Sequence, residues 1–200
     1  WYSDEDKINE SGQRHDPYFK SDWNPDLFLS HNLITHLAVY RTSLVQDLRG
    51  FREGFEGAQD YDLALRAIEQ ISPAQIRHIP RVLYSWRTIT GSTASRPEEK
   101  PYAIIAAQHA ISEHLARRNT KATVMESPDI RGTTRVQYHL PVHLPLVSLI
   151  IPTRNGLELL RRCVESIYDK TDYTNFEILI INNNSDDPAT LDYLRQLEDQ

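Results

Sequence analysis

Apolar and polar positions follow two different textures along the chain, with the change near residue 146. Up to about Ser95, short apolar runs are punctuated by Pro17, Pro25, Gly50, Gly54, Gly57, Pro73 and Pro80. Leu33–Tyr40, rich in apolar and β-branched residues, predicts a strand. Ile76–Trp86 predicts a second extended segment, part of which Pro80 confines to an edge or a loop. Between them Tyr61, Ala64, Leu65, Ile68 and Ile71 recur at helical spacing until Pro73 ends the run, and Asp60 and Asp62 fall in the first turn.

Ser95–Pro101 reads as a polar connector, followed by a helix with Ile104, Ala107, Ile111 and Leu115 on one face. Ala122–Glu126 and Arg135–Leu140 predict a small extended pair joined around Gly132, and Pro141 to Pro145 a stiff spacer. Leu146–Ile151 then reads as a buried strand of the parallel-sheet type. Leu159, Leu160, Cys163, Val164, Ile167 and Tyr168 repeat with helical period, and Phe176–Ile181 is a second buried strand. A strand, helix and strand in this order predict a βαβ unit and hence an α/β fold with parallel pairing.

Composition narrows the function classes. The 200 residues carry 22 Lys and Arg against 28 Asp and Glu, a formal charge of −6, which speaks against a nucleic-acid partner and its basic face. One cysteine, Cys163, excludes an internal disulfide and any CxxC zinc site. No apolar run approaches the roughly 20 residues of a membrane span. The chain opens at Trp1 and its single methionine is Met125, so it is expected to be a piece of a longer protein.

Four constellations carry candidate chemistry. In Asp4-Glu5-Asp6, alternate residues of an extended segment project the same way, so Asp4 and Asp6 are placed to converge on one hard cation such as Mg²⁺ or Mn²⁺. The competing reading is a solvated acidic turn. An EF-hand is excluded, because Ile8 stands at the third ligand position. Asp60, reached through Gly57-Ala58-Gln59, is placed as a general base; taken alone, a helix N-cap is the commoner reading. Tyr84-Ser85-Trp86-Arg87, followed by Gly91-Ser92-Thr93, suits a sugar-diphosphate through ring stacking and charge pairing, and equally suits an edge strand. The polar clusters Pro152-Thr153-Arg154-Asn155 and Asn182-Asn183-Asn184-Ser185-Asp186-Asp187 lie where strands of an open parallel sheet end, the place where ligands bind. His109, His114, His139 and His143 are read as solvated, and Pro141 rules out a helical zinc pair.

In this order, Asp4-x-Asp6, Phe19-Lys20-Ser21-Asp22-Trp23-Asn24-Pro25-Asp26, Gly57–Leu63 and Tyr84-x-Trp86-Arg87…Gly91-Ser92-Thr93-Ala94 resemble the back half of a glycosyltransferase family 2 domain. The likeness is to tandem-domain bacterial enzymes of surface-polysaccharide, O-antigen type assembly. Val147–Leu194 resembles the front of a second such domain. The resemblance implies an α/β GT-A (nucleotide-diphospho-sugar transferase) fold divided as 1–95, the C-terminal half of one domain; 96–145, a connector of a helix and a short extended pair; and 146–200, the N-terminal βαβ of a second. It implies an inverting, metal-dependent sugar transfer from a nucleotide-sugar donor to a glycan or lipid-linked acceptor. Asp4 and Asp6 become the DxD pair, Asp6 being the direct ligand of Mn²⁺ or Mg²⁺ and Asp4 nearer the ribose. Asp60 becomes the catalytic base, with Gln59 where the family carries glutamate. Arg87 and Trp86 meet the donor diphosphate and sugar, Trp23, Asp26 and Asn32 the acceptor or donor sugar, and Pro152, Thr153, Asn155, Asn182, Asn183 and Ser185 the nucleotide of the second domain.

Two positions depart from the family pattern. Ser85 stands where relatives often carry a histidine able to complete the metal shell, and Asn182 replaces an aspartate that contacts the nucleobase. The resemblance places the parent protein in the cytoplasm at the inner face of the bacterial plasma membrane, in peripheral association with it. With half of each domain present, the 200 residues alone are expected to be inactive. The rival reading is a non-catalytic carbohydrate- or nucleotide-binding module of the same fold; a glycoside hydrolase is a third, weakened because it has no use for an acidic pair beside a nucleotide-type βαβ.

Overall fold

A computed structural model describes residues 1–88 and 101–198, and the chain divides into two compact units, Trp1–His139 and Leu140–Gln200. Gly91–Ala94 and most of the expected connector Ser95–Pro101 lie outside the described residues.

In the first unit, β1 (Tyr2–Ile8) is the middle strand of a three-stranded sheet, with β2 (Arg14–Tyr18) antiparallel on one side and β3 (His78–Arg87) parallel on the other. Sequence reading missed β2, although the turn Asn9–Gln13 carries the signal. Asn9 accepts from the Gln13 amide at 2.9 Å through its side chain, and Gly12 supplies a φ of +83°. Pro80 is accommodated because β3 bulges there: Ser3 pairs with Ile79 but Asp4 with Val82, so Pro80 faces no ladder acceptor.

Helices α1 (Pro25–Ser30), α2 (Thr42–Asp47) and α3 (Gln59–Ile68) follow, then a 3₁₀ turn at Pro73–Gln75 and, after β3, α4 (Pro101–Arg117). Asn24 caps α1, its Oδ1 accepting from the Leu27 amide at 2.9 Å. The core sits between these helices and the start of β1. Phe28, Leu33, Ala64, Leu65, Ala110 and Ile111 are wholly buried there, with Tyr2, Phe55 and Tyr61 around them. The expected connector is therefore not free-standing: α4 packs on α3, and β4 (Ala122–Glu126) with β5 (Thr134–Tyr138) forms an antiparallel pair whose Val124 and Val136 lie against the same core. Gly57 is required at the join. Its φ is +88°, and a Cβ there would lie 2.7 Å from the Tyr102 ring and 2.9 Å from the Ala103 Cβ.

Two expectations are corrected here. Leu33–Tyr40 is not a strand; it is a loop whose ladder pairing with β1 amounts to one isolated bridge, between Tyr2 and Ala38. Its polar backbone is satisfied elsewhere, since the Lys20 ammonium takes the carbonyls of Thr35 and His36 and the His36 amide donates to Glu5 at 2.6 Å. His114 is not solvated. It is 5% exposed, wedged between α3 and α4 with Nδ1 2.7 Å from Glu69, because its helical position falls on the buried stripe beside Ile111 and Leu115.

The second unit holds the expected βαβ: β6 (Val147–Thr153), α5 (Leu157–Lys170) and β7 (Phe176–Asn182), followed by α6 (Pro188–Glu198), with β6 and β7 parallel. These strands are not buried on both faces. Leu149, Ile151, Ile178 and Ile180 are half-buried, while Ile150, Leu179 and Ile181 on the other face are exposed, Ile150 by 66%. Two strands provide only one face for two helices to cover.

Candidate functional site

Asp4 and Asp6 do lie on one face of β1, because at all three register shifts the extra residues fall on β2 or β3 and not on β1. Their surroundings differ sharply. Asp4 is 3% exposed, and its Oδ1 already receives the Lys20 amide at 3.0 Å and His78 Nε2 at 2.8 Å. His78 is held in turn by stacking on Tyr2, with ring centroids 4.9 Å apart, and by Asp22 at 3.3 Å. Asp6 meets Arg14 Nε at 2.5 Å through Oδ2, while its Oδ1 is buried without a hydrogen-bond partner in the chain. Ser85, opposite Asp6 in the register, and Arg14 hold the Asp6 carboxyl below the usual carboxylate range. The chain thus offers one orphaned hard oxygen, the feature a divalent cation would satisfy. Among the described residues there is no group of three or more His, Cys, Asp or Glu placed to hold a metal, so further ligands would come from diphosphate and water.

Glu5 points to the opposite face, where burial opposes its ionisation but His36 and the Lys20 ammonium keep its carboxyl below the ordinary range. His36 stacks on Tyr84 at 4.9 Å and meets Trp86 at 4.8 Å. The regular register from Glu5–Tyr84 to Ile8–Arg87 puts Trp86 on this face, and Arg87 with Ser85 on the face of Asp6. Arg87 and Trp86 therefore cannot meet one donor as a pair from the same side of the sheet.

Asp60 is not a helix cap. The N-cap of α3 is Ala58, no side chain caps that end, and Asp60 lies in the first turn, where its Oδ2 accepts from Asn32 Nδ2 at 3.0 Å. Gln59 is occupied with the Gly57 amide at 2.8 Å. Burial, and then the charge of Asp60, pushes the Tyr40 phenol well up, so Tyr40 and Asp60 share one environment. The loop 31–40 thus touches Asp60 through Asn32 and Glu5 through His36. Trp23 and Asp26 make no hydrogen bond to Asp60 among the described residues, although Trp23 packs on Phe28, which in turn packs on Tyr61. Trp23 and Asp26 line a cavity of about 410 Å³ with Glu69, His114, Arg118 and Tyr138, and its lining does not include Asp60.

In the second unit most of the predicted nucleotide contacts serve the loops themselves. Asn155, at φ 55°, has both ends of its amide engaged: Nδ2 donates to Asp186 at 2.8 Å, and Oδ1 accepts from the amides of Asp186 and Asp187 at 3.0 and 3.1 Å. Ser185 Oγ receives the Asn155 amide at 2.8 Å, and Asn182 Oδ1 the Ser185 amide at 2.9 Å. Thr153 Oγ donates to the Asn155 carbonyl at 3.0 Å. Asn155 latches the β6 end to the β7 end; spacing cannot reveal this, because its partners Ser185, Asp186 and Asp187 lie about thirty residues away. Asn155→Ala is expected to speed amide exchange at Asp186 and Asp187 by about tenfold or more, read by hydrogen–deuterium exchange, with α5 protection unchanged.

Comparison with known proteins relates the sequence to a family over part of its length. A glycosyl transferase family 2 model matches residues 148–200. An uncharacterized protein of Sinorhizobium fredii is 48% identical over 200 residues, covering 98% of this chain and 22% of the relative. The O-antigen biosynthesis protein RfbC of Myxococcus xanthus is 41% identical over 199 residues, covering 99% of this chain and 15% of the relative. An uncharacterized glycosyltransferase of Rickettsia felis is 39% identical over 54 residues, 27% of this chain and 9% of that one. The chain thus spans only a small part of the curated relatives it matches. No solved structure matches it significantly. The mixed α/β architecture with small sheets is that expected of a partial GT-A fold, and residues 148–200, its strand–helix–strand segment, match glycosyl transferase family 2.

Proposed function

We propose that the protein containing this chain transfers a sugar, with inversion, from a nucleotide-diphospho-sugar to a glycan or lipid-linked acceptor of bacterial surface polysaccharide. The whole-chain similarity to an O-antigen biosynthesis protein supports the pathway class. The observation that carries the chemistry is Asp60, a carboxylate held by a neighbouring amide and released from any capping duty. Asp60 takes the acceptor hydroxyl proton as that oxygen attacks the anomeric carbon; the carbon–oxygen bond to the diphosphate breaks, and the nucleoside diphosphate leaves with the bonding pair. Asp6, with its buried unpartnered oxygen, would hold Mn²⁺ or Mg²⁺. When bound, such an ion neutralises charge on the departing diphosphate. Arg87, on the same sheet face, would meet that diphosphate as well. Asp4, tied to His78 and the Lys20 amide, braces the strand.

In this reading, residues 1–95 are the back of one transferase domain, 96–145 join it to the next, and 146–200 begin that next domain. Among the described residues no helix is long and apolar enough to cross a membrane. A lipid-linked acceptor would then be met from the cytoplasmic surface of the bilayer, through peripheral association.

The test is transfer of labelled sugar by the whole protein to a membrane-lipid extract. The donors are UDP-glucose, UDP-galactose, UDP-N-acetylglucosamine, GDP-mannose and dTDP-rhamnose. Transfer is expected from one of them, abolished by EDTA and restored by Mn²⁺ or Mg²⁺. Asp6→Asn is expected to raise the Mn²⁺ concentration for half-maximal rate at least about tenfold, the loss typical of a weakened metal shell. Donor binding in the same preparations without any transfer would favour the non-catalytic module.

A further inference from the structure

We propose that Asn32 is a positioning residue for Asp60, an inference that rests on the reading of Asp60 as the general base. The Asn32 amide nitrogen donates to Oδ2 of Asp60 at 3.0 Å, so one carboxylate oxygen is fixed and Oδ1 is left to receive a proton. The orientation of this amide carries the argument. Its own Oδ1 is buried without a hydrogen-bond partner. Turned over, the amide would press this oxygen against the Asp60 carboxylate, so the carboxylate dictates the orientation. Asn32 thus meets Asp60 through its donor, while its own acceptor goes unpaired.

The backbone that presents Asn32 is anchored. Leu33 is wholly buried and Ile34 6% exposed. Two residues further on, the buried Lys20 ammonium holds the carbonyls of Thr35 and His36, and Glu5 holds the His36 amide at 2.6 Å. Tyr61, beside Asp60, is fixed by its hydroxyl on the Phe28 carbonyl. Donor and carboxylate therefore belong to two braced elements separated by 28 residues, the arrangement that holds a proton acceptor in one geometry before substrate arrives. The family resemblance sets Asn32 against the acceptor or donor sugar; here its amide faces the base.

The experiment uses the whole protein, the labelled-sugar assay and whichever of the five donors supports transfer. Asn32→Ala is expected to lower kcat on the order of 10-fold to 10²-fold, with KM for donor and acceptor within about twofold. Asn32→Asp, which is isosteric and keeps the fold if the smaller side chain does not, is expected to lose at least as much, because a second carboxylate replaces the donor. In an Asp60→Asn background, Asn32→Ala is expected to cost nothing further, since its effect runs through the carboxylate. Where Asp60→Asn leaves no measurable transfer, the split between kcat and KM decides alone. A raised acceptor KM with unchanged kcat, wild-type kinetics of both Asn32 variants, or an undiminished loss in the Asp60→Asn background overturns the proposal while the base reading stands. Full activity of Asp60→Asn itself overturns the base reading, and this inference with it.

Discussion

Asp60→Asn is expected to lower sugar transfer by the whole protein about 10²-fold to 10⁴-fold, the range that a positioned general base contributes. Asparagine keeps the shape and can still face Asn32, but it cannot take the proton of the attacking hydroxyl. The fold should hardly notice. Asp60 makes no capping bond, the backbone at the start of α3 is closed by Ala58, and the loss of one negative charge near the helix start costs only about 0.3–1 kcal/mol. The measurement is a pair: initial rate with the supporting donor, and thermal unfolding of the same preparation. Loss of rate with an unchanged Tm identifies Asp60 as chemical. Loss of both would mean that the carboxylate is structural, and retained rate would remove it from the mechanism.

The largest effect on stability is expected two residues further on. Asp62 is fully buried and bonds both Arg52, at 3.2 Å through Nε, and Arg66, at 2.9 and 2.8 Å. Arg66 also donates to the carbonyls of Leu48 and Gly50, and Arg52 reaches Glu113 on α4 at 2.8 Å, so one carboxylate ties the loop before α3 to two helices. Asp62→Ala leaves the buried Arg66 guanidinium without its counter-ion and should cost about 3–5 kcal/mol in unfolding free energy, read by denaturant titration. Replacing both Asp62 and Arg66 by apolar residues of similar volume should cost less than the single change. A loss below about 1 kcal/mol would show that the network is not what holds these elements.

The same group predicts a pH dependence. Burial resists ionisation of Asp62, yet its hydrogen bonds to Arg52 and Arg66 prevail and keep its carboxyl below the ordinary aspartate value. A carboxyl lowered on folding stabilises the protein above its unfolded value, near 4, and that stability is lost as pH falls through the folded value. Glu69, held down by Arg117 and His114 against burial, adds in the same direction. Tm of the wild type should therefore fall steeply below about pH 4, and Tm of Asp62→Ala less steeply.

Legibility varied with the range of the interaction. Helices α3, α4 and α5, the β4–β5 pair and the parallel β6–β7 unit could be read from apolar spacing, because a helix or strand repeats its buried side within a few residues. The family could be read from the order of short motifs. The loop at Leu33–Tyr40 could not, since an apolar β-branched run looks the same whether its backbone finds a strand or a lysine side chain. The His114 position could not, because burial depends on which face of α4 meets α3. Arg14, Lys20, His36 and His78 carried no signal, being ordinary polar residues until folding sets them against Asp6, Glu5 and Asp4.

The amino-acid order alone determined α3, α4, the β4–β5 pair, the strand–helix–strand unit and the positions of the acidic groups, all of which depend on local periodicity and turn chemistry. Only the tertiary structure decided what each acid is bound to. It joined Asp4 to a histidine 74 residues away, left one oxygen of Asp6 unpaired, separated Trp86 from Arg87 across a sheet, and gave Asp60 an amide partner in place of a capping role. The reason is physical: a side chain's periodicity is set by its own backbone, but its hydrogen-bond partner is chosen by packing among segments far apart in the chain.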